Sequence, residues 1–143
     1  MYKMEIEKYI EEICPKIADI LNEIIPEAWR KLYLYAEIHD FSGTVIFYYY
    51  NNKSIKPIYS LDIPKLYNID EKYITKYIHE IYFYFDHLRN LFAKYKKPKW
   101  TSATFILDST GKMKLDFSYE KLSEDDSIED LLKWRKKYIK GLD

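Results

Sequence analysis

The side chains best suited to nucleophilic, metal-binding or proton-transfer chemistry near neutral pH are scarce in this 143-residue sequence: His39, His79, His87 and Cys14. His79 and His87 stand eight positions apart in a helical stretch, twice the i, i+4 spacing that lets two imidazoles share a metal. Asp86 precedes His87, but neighbours on a helix diverge by about 100° and do not converge on an ion. His39 ends an alternating segment and reads as a surface histidine. Cys14 lies beside Pro15 with no histidine near it in sequence, so it reads as an inert buried thiol. A single cysteine allows no internal disulfide and no cysteine-based zinc site. Ser42-Gly43 and Ser109-Thr110-Gly111 fall in turn-like stretches rather than strand-to-helix elbows, and three glycines in all leave no phosphate-cradling loop. Asp125-Asp126 is a carboxylate pair in a charged run, with nothing beside it to separate the two pKa values as acid–base catalysis requires. The expectation is a protein that is not an enzyme and holds no metal or cofactor.

What the sequence offers instead is surface. From Asp116 to Asp130 come Asp116, Glu120, Glu124, Asp125, Asp126, Glu129 and Asp130, opposed within that stretch only by Lys121. One reading is a solvated loop running into a helix N-terminus, where the dipole favours acids. The other is an anionic patch that steers a basic partner into place, with Tyr33, Tyr35 and Tyr119 as exposed aromatic anchors beside it. The expected partner-binding residues are therefore Tyr33, Tyr35, Asp116, Tyr119, Glu120, Glu124, Asp125 and Asp126. The alternative is a small nucleic-acid-binding module built on Lys94, Lys96, Lys97 and Lys99 with Trp100, through phosphate contacts and stacking. The 23 basic and 23 acidic residues cancel, so net charge favours neither. Sixteen tyrosines are more than a core accommodates without hydroxyl partners. AT-rich coding sequence and interface use both raise tyrosine, and composition leaves both open.

The elements that must carry these residues follow from periodicity. Ile6, Ile10, Ile13, Ile17, Ile20, Leu21 and Ile24 recur at helical spacing, interrupted by Pro15, which predicts a kink or restart near Cys14. From Lys31 to His39 the period becomes two, with Leu32, Leu34, Ala36 and Ile38 on one side. Lys31, Tyr33, Tyr35, Glu37 and His39 occupy the other, as in a strand with one wet face. A turn at 40–43 returns the chain along 44–50, and a short strand near 57–60 belongs at an edge because Pro57 cannot donate to a ladder. Asp70 caps a long helix to about Lys96, stapled by Ile69 and Ile74 and stopped by Pro98. A second hairpin, 102–108 with 112–119, precedes a final helix that opens at Ser127 with Asp130 at capping-box spacing and closes at Gly141. The class is α+β: one domain over residues 1–143, its antiparallel sheet of two hairpins and an edge strand packed with an N-terminal, a long central and a C-terminal helix. No apolar run approaches the ~18 residues of a membrane span, and residues 1–12 do not resemble a signal peptide, so the expected address is the cytoplasm.

Against this frame certain words in the sequence carry more information than the periods. Ile25-Pro26-Glu27-Ala28-Trp29 and Tyr33-Leu34-Tyr35-Ala36-Glu37 resemble the opening of the YezG-like immunity proteins. Phe47-Tyr48-Tyr49, Asp62-Ile63-Pro64, Trp100-Thr101-Ser102, Ser109-Thr110-Gly111-Lys112 and Asp116-Phe117-Ser118-Tyr119-Glu120 continue the resemblance, ending with Trp134, Tyr138 and Gly141. The resemblance implies a small α+β antitoxin that binds the C-terminal nuclease domain of an LXG-type toxin exported by type VII secretion. It implies no cofactor, and neither nucleic acid nor membrane as a direct partner.

Overall fold

The computed structural model describes residues 2–122 and 127–142. Helix α1 (Tyr2–Ile24) leads into strands β1 (Trp29–Ile38), β2 (Gly43–Asn51) and the two-residue β3 (Ile58–Tyr59). A 3-10 turn (Ser60–Asp62), the short α2 (Ile63–Tyr67) and the long α3 (Glu71–Lys94) follow, then β4 (Ser102–Asp108), β5 (Met113–Ser118) and α4 (Ser127–Tyr138). Among the described residues the strands form one antiparallel sheet in the order β3-β2-β1-β4-β5. The class, the two hairpins, the edge strand and the three expected helices are as the periodicity predicts. The 3-10 turn and α2 are additional, too short to leave a periodic signal.

One sheet face carries the large core. Leu32, Leu34, Ala36 and Ile38 of β1 meet Val45, Phe47 and Tyr49 of β2 and Ala103, Phe105 and Leu107 of β4. Over them lie the α1 stripe, from Ile6 to Ile24, and the α3 stripe Ile74, Ile81, Phe85, Leu88, Leu91 and Phe92. Of the kink or restart expected near Cys14, the restart does not occur, and α1 runs through Pro15. Pro15 and Glu11 are both exposed, so the Glu11 carbonyl that the missing N–H leaves free faces water rather than core. Asp70 caps α3 by accepting from Lys72 N at 3.0 Å. The far end stops before Pro98: Lys96 takes a left-handed conformation, and Lys97 N donates to Phe92 O at 2.9 Å, a Schellman closure on a non-glycine residue.

The opposite face, expected to be wet, is covered by α4. Tyr35, Ile46 and Tyr48 form a second core with Trp134 and Ile139, flanked by Tyr33, Tyr59, Leu131 and Tyr138. Trp134 Nε1 donates to Thr104 Oγ1 at 2.9 Å. The Tyr50 hydroxyl locks the chain beyond α4 by donating to Lys140 O at 2.6 Å and accepting from Lys140 N at 2.9 Å. Gly141 then turns with φ of +88°, and a Cβ there would stand 2.5 Å from the Ile55 carbonyl. Gly141→Ala is therefore expected to loosen the α4 attachment and lower stability by about 1 kcal/mol or more, read by urea denaturation.

Glu27 ties the α1–β1 turn to the sheet and to α2. Its carboxylate accepts from Tyr49 Oη at 2.6 Å, from Asn51 Nδ2 at 3.3 Å and from Tyr67 Oη. Partial burial opposes ionisation, but these bonds outweigh it and hold the carboxyl below its ordinary value of 4.5. A carboxyl depressed in the folded state stabilises the fold above its unfolded pKa, and that contribution is lost as pH falls through the folded one. The wild type is thus expected to lose stability as the pH drops below about 4.5. Glu27→Ala, which leaves the Tyr49 hydroxyl without its acceptor, is expected to cost about 1–3 kcal/mol at pH 7 and to flatten that acid dependence. Denaturation midpoints at pH 7 and pH 3.5 read both effects.

Candidate partner-binding surface

Register decides which of the expected contact residues meet. Tyr35 on β1 pairs with Thr104 on β4, which pairs with Asp116 on β5, so the three form a row across the α4 face. Trp134 packs on this row, its ring 5.2 Å from that of Tyr35. Where α4 and the β5 edge part, Asp116, Tyr119 and Glu120 line a groove of about 430 Å³ with Tyr35 and Trp134 at its inner side. Thr101 Oγ1 holds the strand exit there, its single proton donated to Glu120 O at 2.7 Å with Ser118 O also in reach at 3.1 Å. Tyr119 is 54% exposed and Glu120 is exposed. These three expected residues converge at the groove.

The others do not reach it as expected. Tyr35 is only 3% exposed, and its hydroxyl donates to Glu37 Oε1 at 2.7 Å. Glu37 is itself buried, with His39 Nε2 3.0 Å from its other oxygen. Burial first, and then the Glu37 carboxylate, push the Tyr35 phenol far above its ordinary value, so it stays protonated and donating. Tyr33 is half-buried between Tyr50 and Tyr138. Both expectations of exposure fail because α4 occupies the face on which these rings lie. The missed signal was Leu131, Trp134 and Tyr138, an i, i+3, i+7 stripe that needs an apolar face once α1 and α3 have taken the other. Glu124, Asp125 and Asp126 lie outside the described residues. The acidic character is also diluted, because α4 brings Lys133 and Lys137 to the groove and Lys114 Nζ sits 3.7 Å from Asp116.

The basic segment after α3 is likewise engaged. Trp100 is 0% exposed, packed against Phe85 and Phe117, and has no face on which a base could stack. Its carbonyl accepts from Arg89 Nε at 3.0 Å, while Arg89 and Lys99 both pair with Asp40 at the β1–β2 turn. Lys94 reaches Glu5 at 3.6 Å. Among the described residues the Trp100 indole N–H has no hydrogen-bond partner. Cys14 is buried, and that burial raises its thiol pKa, as an inert thiol requires. Among the described residues no three His, Cys, Asp or Glu side chains gather as a metal site would need, and no helix is long and apolar enough to cross a membrane.

A second groove, of about 570 Å³, was not legible in the sequence. It lies between the β2 edge, the 3-10 turn and α3, with Phe41, Leu61, Ile78, His79 and Tyr82 on its walls. Phe41 is 100% and Leu61 66% exposed. The one hint was an aromatic residue at a hairpin tip, where a short turn has no core to bury it in.

A small α+β fold whose surface presents two grooves and large exposed apolar side chains is suited to binding a macromolecule. The chain belongs to the YezG-like immunity protein family, whose model matches residues 10–142. It is 34% identical over 132 residues to the immunity protein YezG of Bacillus subtilis (strain 168), covering 91% of this chain and 87% of that one. It is 36% identical to the immunity protein YezG of Bacillus spizizenii, covering 76% and 68% of the two chains. It is 34% identical to the type VII secretion system protein EsaG of Staphylococcus aureus, covering 81% and 71%.

The two tyrosines assigned opposite places should separate cleanly. Tyr35→Ala is expected to destabilise the fold by about 3 kcal/mol or more, through a cavity under α4 and the loss of the Glu37 donor. Tyr119→Ala is expected to stay within about 0.5 kcal/mol of wild type. Parallel urea titrations make the comparison.

Proposed function

We propose that this chain is an immunity protein that neutralises a secreted toxin by forming a stoichiometric complex with it, and that it is not itself an enzyme. The observation that carries the reading is the family match across residues 10–142, joined by relatives whose names are those of immunity and type VII secretion proteins. The target is the toxin's C-terminal nuclease domain. A nuclease holds its substrate in a basic groove, and the exposed Tyr119 flanked by Asp116 and Glu120 supplies an aromatic anchor with anionic neighbours for such a surface. Glu124, Asp125 and Asp126 follow a few positions on in the sequence and add to its acidic run. Inhibition of this kind needs complementarity and slow dissociation rather than bond-making groups.

The test is a titration of the full chain against the nuclease domain of the toxin encoded beside it, following complex formation and DNA cleavage together. Cleavage is expected to vanish at one equivalent, with a stable complex. Glu120→Lys combined with Tyr119→Ala is expected to weaken binding by about tenfold or more, or 1.4 kcal/mol, and charge reversal of Asp125 and Asp126 to change its salt dependence. A nuclease that keeps cleaving in excess inhibitor, with no complex formed, refutes the reading.

A further inference from the structure

The β2 edge ends its pairing early. β3 pairs with β2 only at Tyr48 and Tyr49, and the chain then turns away into the 3-10 helix. Phe47 N, the next edge donor, is satisfied by the Ser60 hydroxyl at 3.1 Å. Strand parity carries this direction along the regular β1–β2 ladder: Phe47, Val45 and Gly43 point their N–H and C=O groups away from β1, while Ile46 and Thr44 point theirs toward it. Among the described residues no strand pairs with this edge beyond Phe47, and no backbone or side-chain hydrogen bond reaches the outward groups of Val45 or Gly43. Backbone groups in such a position are strongly driven to find partners.

That open edge forms one wall of the 570 Å³ groove. We propose that the β2 edge at Gly43 and Val45 is a strand-addition site that takes an extended segment of the toxin, its side chains seated against Phe41, Leu61, Ile78 and Tyr82. The proposal rests on the immunity reading and names the way this face would engage the same partner. The occupant follows from the chemistry offered. Donors and acceptors repeat every second residue, about 7 Å apart, and only another extended backbone presents the matching series; alternate side chains then meet the apolar walls. A second copy of this chain presents the same edge, and the concentration dependence measured below separates it from the toxin segment.

The alternation supplies a readout that general covering of the surface would not give. Amide hydrogen exchange, resolved by residue with NMR, is measured on the full chain alone and in complex with the toxin's nuclease domain. Complex formation is expected to slow Gly43 and Val45 at least tenfold and to leave Thr44 and Ile46, already bonded to β1, nearly unchanged. Leu61→Asp and Phe41→Asp alter exposed side chains and are expected to raise Kd at least tenfold while keeping the wild-type melting temperature. If a tight inhibitory complex forms with no change at Gly43 and Val45, the strand-addition site is overturned and the immunity reading stands. If no complex forms, both fall. Concentration-dependent protection of the same amides in the chain alone would assign the edge to a second copy and also overturn the proposal.

Discussion

Several tyrosines buried in this fold bring hydroxyls that find partners inside it, and part of the architecture follows from those bonds. An unpartnered buried hydroxyl costs on the order of 1–3 kcal/mol, comparable with a sizeable part of a small domain's stability. Glu37 accepts from Tyr35, Glu27 accepts from Tyr49 and Tyr67, and the backbone of Lys140 takes both sides of the Tyr50 hydroxyl. These bonds join β1 to itself, the α1–β1 turn to the sheet and α2, and the chain beyond α4 to β2. Three of the sixteen tyrosines, Tyr49, Tyr50 and Tyr67, thus cross-link segments that apolar contact alone would leave free to slide.

With both faces of the sheet covered, the two rims of the sheet stay open. At one rim α4 stops short of β5, and Asp116, Tyr119 and Glu120 surround a half-polar groove. At the other, β3 is too brief to finish the edge of β2, and an apolar groove opens beside unpaired backbone. The two rims differ in character: charge and an aromatic ring on the first, main-chain hydrogen bonding and apolar walls on the second. A protein that must hold one partner tightly gains from two such unlike contacts, because a wrong partner has to satisfy both.

Much of the fold could be read from the chain because its signals are local. The α1 and α3 stripes, the Asp70 cap and the alternation of β1 each depend on residues within a few turns or pleats of one another. The family resemblance was legible for a similar reason, since its short words keep their order along the chain. The candidate surface was legible only in part. Asp116, Tyr119 and Glu120 are adjacent to a strand end and were found together. Tyr33 and Tyr35 were assigned to solvent because alternation shows that a strand has two unlike faces without showing what covers either. Phe41 and Leu61, twenty residues apart, share a groove only through the turn after β3.

By itself the sequence determined the strands and the three longer helices, their order, the α+β class and the family to which the chain belongs. All of these rest on spacing and local chemistry. Tertiary structure alone decided that the tyrosine face is interior, that Lys133 and Lys137 temper the acids beside Tyr119, that Trp100 is sealed in the core, and that β2 keeps an open edge. Each of these is a statement about which surface meets which, and such meetings are set by competition among all the elements for the same sheet. A chain reports how many apolar faces it has; only the packed molecule decides which of them remain uncovered.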